Sequence, residues 1–482
     1  MAIIYLIVSI LCASAAIVLH KHKIAGVFSP LFLAVQVAFT IYACLNAGET
    51  SCTYFAFDSL GLIFLVVITI VAIPAYFHSL IYLGSVKRLF VRYSEGNTLA
   101  RNGIFHASMM ILVMSISLGF LANHAAVTWI FTEITTLSAA MCIYHKRDRL
   151  SLEGTWKYVF VCATSISLIF IGILLLSMSA LHTGSSDILL YSHLMEHSDE
   201  LNQFWLRMAF IFIFTGYTAK IGLFPMFTAG IDAKDKAPAP AGALLAAVLV
   251  NLGFIGIYRS WAVVSPTDVG PWCRMFMIVA ALITLFVATA YMIKIRNFKR
   301  MLAYSGIENM SLVVLGICMG PAGCFAALLH LVLHSLVKSG LFFQYTQMYR
   351  LYRSKMITDM GGYFNLNPFG AVVLLFGLVS ILAVPPSGLF VSEFLIFKAM
   401  IGKESWVVLT ISLFLLTVLI WAFSRNILRV IFLPAEREIA PVKISPWESV
   451  TSLLLFIAAA YIGLNPPAVL VEMMTQAASI VL

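Results

Sequence analysis

Three titratable side chains, His330, His334 and Lys338, recur every fourth position within one apolar stretch of this sequence. On a helix that spacing makes a slowly rotating stripe about 12 Å long, a row of groups able to hand a proton along. Two further ionisable residues interrupt apolar runs: Glu133 in Trp129-Ile-Phe-Thr-Glu-Ile-Thr-Thr-Leu-Ser138, and Lys220 in Gly216-Tyr-Thr-Ala-Lys-Ile-Gly222. Glu393 follows in Gly388-Leu-Phe-Val-Ser-Glu-Phe394, with Lys398 one turn and a residue beyond. A charge at mid-membrane costs about 2.5–3.5 kcal/mol on insertion scales, so a chain keeping several must pair them or wet them. Glu133 and Lys220 are expected to face each other as a switchable proton site, and Glu393 is the candidate exit group.

Each of these groups has a plainer reading. A single membrane histidine such as His106 or His124 usually hydrogen-bonds a neighbour. Lys157, in Trp156-Lys-Tyr158, is placed to snorkel to the interface or to modulate the Glu133/Lys220 pair, and Glu308 carries a similar ambiguity. His330 and His334 are poor haem ligands, because a bis-histidine haem needs ligands from facing helices and no second pair is visible. The eight cysteines are scattered without a CxxC pair, so neither a zinc nor an iron–sulfur site is expected. The chain is expected to bind no cofactor of its own.

The elements that must position these groups follow from composition. Of 482 residues 61% are hydrophobic and 11% charged, and the mean hydropathy is +0.99; no water-soluble domain has that balance. The formal charge of +9 sits in short clusters between apolar runs, which argues for topology signals and against nucleic acid. The first apolar run, Met1 to Leu19, has no basic segment before it and no small-residue cleavage site, and reads as a retained helix.

Apolar runs between polar breaks predict an all-helical polytopic protein of fourteen spans: approximately 2–20, 28–46, 59–84, 103–121, 123–144, 152–180, 203–226, 238–262, 272–293, 302–319, 321–349, 368–401, 405–432 and 446–464. Basic residues alternate with these spans. One side receives Lys21, Lys23, Lys87, Arg88, Arg92, Arg101, Lys146, Arg147, Arg149, Lys234, Lys236, Lys294, Arg296, Lys299, Arg300, Arg350, Arg353, Lys355, Arg425, Arg429, Arg437 and Lys443. The other receives Arg207, Arg259, Arg274 and Lys403, and the longest loop there, His182 to Asn202, holds Asp187, Glu196, Asp199 and Glu200. The positive-inside rule then sets both termini outside the cytoplasmic membrane of a bacterium or archaeon.

Two spans contain breaks: Gly222-Leu-Phe-Pro225 in the seventh and Val384-Pro385-Pro386-Ser387-Gly388 in the twelfth. Proline removes a donor and disrupts the helical ladder. Freed carbonyls survive at membrane depth only inside protein or beside water, and paired broken helices mark transporter sites built on inverted repeats. The expected division is residues 1–102, a five-helix repeat over 103–262, an inverted second repeat over 263–432, and a C-terminal helix within 433–482.

Six ordered segments carry a resemblance: Phe-Thr-Glu133-Ile-Thr-Thr-Leu-Ser, Gly-Tyr-Thr-Ala-Lys220-Ile-Gly-Leu-Phe-Pro-Met226, Ala237-Pro-Ala-Pro-Ala-Gly-Ala-Leu-Leu245, Lys299-Arg-Met-Leu-Ala-Tyr-Ser305, His334-Ser-Leu-Val-Lys338-Ser and Pro385-Pro-Ser-Gly-Leu-Phe-Val-Ser-Glu393-Phe. With them the chain resembles the proton-translocating antiporter-like subunits of respiratory complex I, Mrp antiporters and membrane-bound hydrogenases. Trp156-Lys157-Tyr158 and Ser305-Gly-Ile-Glu308-Asn-Met310 look most similar to component F of hydrogenase-4 and its formate hydrogenlyase relatives.

The resemblance implies a carboxylate–lysine–histidine chain at mid-membrane, with Glu133, Lys220, Lys338 and Glu393 at matching positions. It also implies partner subunits bearing the redox centres, iron–sulfur clusters and, for a hydrogenase, a nickel–iron site. Two departures stand out. The loop after Met226 reads Phe-Thr-Ala-Gly-Ile-Asp232, without the family's histidine and tryptophan, and Val248-Leu-Val-Asn251 replaces a central lysine with a residue that holds no proton near neutral pH. Three functions remain open on the sequence: redox-driven translocation of H⁺ or Na⁺, a stand-alone Mrp-type cation/proton antiporter, and a non-pumping anchor of a hydrogenase or dehydrogenase.

Overall fold

The computed structural model describes residues 1–19, 25–89, 95–181, 188–435 and 444–481. Lys21, Lys23, Arg92, Asp187, Arg437 and Lys443 of the charge pattern lie outside them. The chain is an all-helical polytopic membrane protein, and two compact units divide it: Met1–Ile221 with Thr228–Cys273, and Gly222–Phe227 with Arg274–Leu482.

Unit 1 contains α1 (Ala2–Val18), α2 (Ala25–Leu45), a small hairpin of β1 (Thr50–Cys52) and β2 (Phe55–Ala56), α3 (Ser59–Leu89), α4 (Glu95–Leu121), α5 (Ala125–Ile143), α6 (Arg149–Ser179), α7 (Tyr191–Glu196), α8 (Gln203–Ile221), α9 (Thr228–Lys236), α10 (Ala239–Ala247) and α11 (Leu249–Val264). Then come α12 (Gly270–Lys294), whose body lies in unit 2, α13 (Phe298–Ile317), α14 (Pro321–Tyr352), α15 (Tyr363–Leu366), α16 (Pro368–Ile381), α17 (Gly388–Gly402), α18 (Trp406–Phe432), α19 (Pro446–Leu464) and α20 (Ala468–Ala478). Among the described residues eleven segments are long and apolar enough to cross a bilayer. The other expected spans are α1, which is shorter, α13, which carries Glu308 and a basic start, and the twelfth, which is split into α16 and α17.

Both sequence-predicted breaks are present. The seventh helix stops at Ile221 rather than 226, because Gly222 adopts φ +95°, a left-handed conformation that glycine takes without a Cβ clash. The Phe224 amide, freed from the ladder, donates to Thr284 Oγ1 at 2.9 Å. In the twelfth, Ala383 has φ 49° and Ser387 caps α17 by accepting from Phe390 N at 3.3 Å. A third break was not foreseen: the expected span 238–262 parts at Val248 between α10 and α11. No proline marks it, and the segment Ala239–Val264 is buried throughout.

The span of α6, α8 and α11 is held by close backbone approach. A Cβ on Gly216 would lie 2.6 Å from the Ser165 carbonyl, and one on Gly253 would lie 2.8 Å from Ile221 N and 2.9 Å from Lys220 Cβ. Small residues let membrane helices pack at backbone distance where no hydrophobic force favours one apolar neighbour over lipid. One loop charge assigned from the pattern also turns inward. Arg259 forms an ion pair with Asp58 at 2.9 Å and donates to the Phe120 carbonyl at 3.2 Å, tying α11 to the start of α3. Gly253→Ala is therefore expected to destabilise the protein by about 1–3 kcal/mol through overpacking, read as a lower melting temperature in detergent. Gly84→Ala, with open space around the new methyl, is the control and is expected to leave the melting temperature unchanged or slightly raised.

Candidate functional site

In unit 1, Lys220 occupies the last turn of α8 and is 4% exposed. Its Nζ donates to Thr136 Oγ1 at 2.7 Å and lies 3.4 Å from Thr135 Oγ1, both on α5. The ring of Tyr158 on α6 closes the other side, 5.7 Å from the ammonium, a cation–π distance. Glu133 acts on Lys220 electrostatically, but the two form no direct ion pair among the described residues. The carboxylate lies one turn earlier on α5 than Thr136, is half-buried, and its Oε2 has no hydrogen-bond partner among the described residues. Hydroxyls, not the carboxylate, accept the lysine's hydrogen bonds, and Gly253 lets α11 approach the Lys220 backbone closely.

Asn251 is fully buried on α11, two residues from Gly253. Lys157 is placed elsewhere: its side chain is exposed and paired with Glu153 at 2.6 Å, one turn back on α6. Such an exposed i,i+4 pair contributes little, and the modulating role expected for Lys157 is withdrawn in favour of the interfacial one. His124 and His106 have local duties. His124 caps α5 by accepting from Ala126 N at 3.2 Å, and His106 Nδ1 meets Ser29 Oγ at 3.0 Å.

In unit 2 the stripe His330, His334 and Lys338 lies fully buried on α14. Lys338 Nζ donates to Ser305 Oγ on α13 at 2.6 Å. One turn along α13, Asn309 Nδ2 donates to the Ser305 carbonyl at 2.7 Å and to Glu308 Oε2 at 2.5 Å. The same amide's Oδ1 faces His330 Nε2 at 3.0 Å, and His330 Nδ1 faces Ser392 Oγ on α17 at 3.0 Å. Ser392 adjoins Glu393, which is 8% exposed. Glu308, 3% exposed, interacts electrostatically with both Lys338 and Glu393. The structure thus joins Lys338, Glu308, His330 and Glu393 in one buried cluster and makes Glu308 a member of it.

Two further placements matter. Lys398 does not join the cluster: it is exposed on α17, beside Lys403 at the mouth of a surface cavity lined also by Met319, Ala322 and Leu395. It lies five residues beyond Glu393, on a different side of the helix. Lys234, read as a cytoplasmic loop charge, is buried on α9 at 4% exposure, and burial pushes its ammonium down to about 8.

The orientation of Asn309 fixes a proton position. Both hydrogens of its Nδ2 are taken by the Ser305 carbonyl and Glu308, and flipping the amide would set its oxygen against two acceptors. Oδ1 can then only accept, so neutral His330 must carry its hydrogen on Nε2. Ser392 donates to Nδ1 in that state. The same hydroxyl lies 3.0 Å from the Leu389 carbonyl.

Two measurements test these placements. Solution or solid-state ¹⁵N spectra of the chain in lipid are expected to show His330 as the Nε2–H tautomer, and Asn309→Leu is expected to populate the other form. Lys234 binds its proton more weakly folded than unfolded, so the unfolded chain holds more protons between its folded value near 8 and its ordinary value near 10.5. Stability is expected to rise with pH across that window, and Lys234→Met is expected to remove the slope in pH-dependent melting.

Residues 122–419 match the family described as NADH:quinone oxidoreductase/Mrp antiporter, TM. The chain is 30% identical over 370 residues to the hydrogenase-4 component F homolog of Methylacidiphilum infernorum, covering 76% of this chain and 77% of that one. It is 23% identical over 460 residues to NADH-quinone oxidoreductase subunit N of Desulforamulus reducens, covering 93% and 90%. Among solved structures, its fold is similar to a chain of the membrane-bound sulfane sulfur reductase, an archaeal respiratory membrane complex, with TM-score 0.84 at 19% identity and coverage of 100% and 97%. It is likewise similar to a chain of the Mrp complex from Dietzia sp. DQ12-45-1b, with TM-score 0.82 at 15% identity and coverage of 100% and 97%. With the match running over more than half its length, from before Glu133 to beyond Glu393, the chain belongs to the NADH:quinone oxidoreductase/Mrp antiporter family of membrane subunits.

Proposed function

We propose that this chain translocates protons as the antiporter-like membrane subunit of a redox-driven complex of the complex I or membrane-bound hydrogenase type. Glu133 and Lys220 form the station in unit 1, and Glu308, His330, His334, Lys338 and Glu393 form the station in unit 2. The observation that carries this reading is the buried hydrogen-bonded run from Lys338 through Ser305 and Asn309 to Glu308, His330 and Ser392. Lys338 meets the Ser305 hydroxyl and Asn309 the Ser305 carbonyl, and the run contains a base, an acid and an imidazole with both nitrogens engaged.

Relatives named as a hydrogenase-4 component F homolog and as NADH-quinone oxidoreductase subunit N support a place beside partner subunits that carry the redox centres, iron–sulfur clusters and a nickel–iron site among them. The loop charges support both termini lying outside the cytoplasmic membrane, and the paired breaks support repeats over 103–262 and 263–432. H⁺ fits the cluster better than Na⁺: its donors are ammonium, amide and imidazole N–H groups, whereas a hard cation needs several oxygen ligands.

A second reading, an anchor that moves no ion, is favoured by Asn251, which puts a group that does not titrate at a buried position of α11. One experiment separates the two. In the reconstituted complex, Lys220→Ala and Lys338→Ala are each expected to reduce proton translocation to near background while assembly and electron transfer from the partner subunits persist. Undiminished translocation in both variants would refute the relay and favour the anchor. Sodium-dependent proton exchange by the purified chain alone in liposomes would favour the stand-alone antiporter instead.

A further inference from the structure

Unit 2 contains a second buried polar seam that the relay does not use. Along α14 and α19 the helices run antiparallel, with Gly340 against Phe456, where a Cβ would lie 2.5 Å from the ring. Gln347 meets Ser449, whose Oγ donates to Gln347 Oε1 at 3.0 Å, and Arg350 is ion-paired with Glu448. That register sets Gln344 opposite Ser452. The third wall is α16: Gly377 touches both Leu341 and Phe456, and Asn367 Nδ2 donates to Gln347 Oε1 at 3.2 Å. Lys338 points the other way, toward Ser305 on α13.

Over the adjacent Gln344–Ser452 and Gln347–Ser449 levels four polar atoms are unmet. Gln344 Oε1, Gln344 Nε2, Gln347 Nε2 and Ser452 Oγ are all buried without a hydrogen-bond partner among the described residues. All three residues are 0% exposed, so neither lipid headgroups nor a neighbouring subunit reaches them. Buried amides and hydroxyls in folded proteins are hydrogen-bonded to protein or to ordered water, and four such atoms within two adjacent levels of one seam supply the two to four polar partners that a buried water needs.

We propose that the α14–α16–α19 seam is a buried water-binding site, in which water bridges Gln344, Ser452 and Gln347 and extends to the Arg350–Glu448 pair. At about three hydrogen bonds per buried water, roughly two molecules satisfy the unmet atoms. The site is a hydrated branch of unit 2 separate from the Lys338 cluster. Its outer end is the Arg350–Glu448 pair, one turn from Gln347, where the Arg350 side chain remains 18% exposed. The inference goes beyond the relay and holds whether or not the chain moves protons.

The test is X-ray hydroxyl-radical footprinting of the full chain in lipid nanodiscs, which labels side chains next to bound water. Phe456 is 2% exposed and one turn from Ser452, and it is expected to be oxidised despite its burial. In the Gln344→Leu, Ser452→Ala double variant its oxidation is expected to fall severalfold, while Trp447, 72% exposed, labels as before. The melting temperature of that variant is expected to fall or hold, because water-mediated bonds are lost. Absence of Phe456 oxidation in the unsubstituted chain overturns the proposal. So does a higher melting temperature in the double variant, since removing unpaired groups from a dry seam stabilises it. Ser452→Ala alone gives the same readouts with the least disturbance of packing.

Discussion

A polar group at membrane depth has no bulk water to return to, and this constraint shapes the whole molecule. Each unmet backbone or side-chain group in hydrocarbon costs several kcal/mol, so every break in a helix and every ionisable residue must be provided for locally. Where α8 stops, the released Phe224 amide finds Thr284; where α17 starts, Ser387 caps it. Two of the buried lysines are handled the same way, Lys220 by Thr136 on α5 and Lys338 by Ser305 on α13, while Glu308 takes its donor from the adjacent Asn309. The breaks and the charged clusters are two consequences of one requirement.

The two units meet that requirement with different chemistry. Unit 1 gives Lys220 two threonine hydroxyls and an aromatic face. Hydroxyls both donate and accept, so the lysine can keep partners in either protonation state. Unit 2 uses an amide. Asn309 commits both hydrogens on one side and its oxygen on the other, which holds one nitrogen of His330 as a donor and leaves Nδ1 facing Ser392. Asn309 is thus a positioning residue, moving no proton itself while deciding where one sits.

Much of this was legible in the sequence, and the parts that were not have physical reasons. Charges inside apolar runs are loud signals because of their cost, which is why Lys220, His330, Lys338 and Glu393 stood out; Pro225, Pro385 and Pro386 were equally visible as interruptions of the ladder. The break at Val248 gave no such sign, since a buried helix can part where tertiary contacts replace its bonds without glycine or proline. Asn309, Ser305 and Ser392 carry no charge and look like ordinary helix residues until their partners are in place. For Lys157 the interfacial reading holds, whereas Lys398 is exposed and does not join Glu393. A lysine near a helix end has the same hydropathy whether it faces the interior or the lipid surface, and only helical phase against the real neighbours tells them apart.

The energetics of these groups bear on the choice between a relay and an inert anchor. Lys220, Glu308, Lys338 and Glu393 are each less than a tenth exposed. At about 2.5–3.5 kcal/mol apiece on insertion scales their burial costs on the order of 10 kcal/mol, comparable to the whole stability of a typical domain. Hydrogen bonds to neutral partners recover part of that cost, while apolar side chains of the same size would avoid it altogether. An anchor gains nothing from the arrangement, because docking a partner uses the surface and these groups are hidden from it. A relay needs them where they are: off the surface, within hydrogen-bond reach of hydroxyls and an oriented imidazole, and close enough for a charge on Lys338 to be felt at Glu308 and through it at Glu393. Asn251 is buried on α11 in unit 1 and lies outside the hydrogen bonds of the cluster on α13, α14 and α17 in unit 2, so its failure to titrate leaves the chemistry of that cluster as it stands.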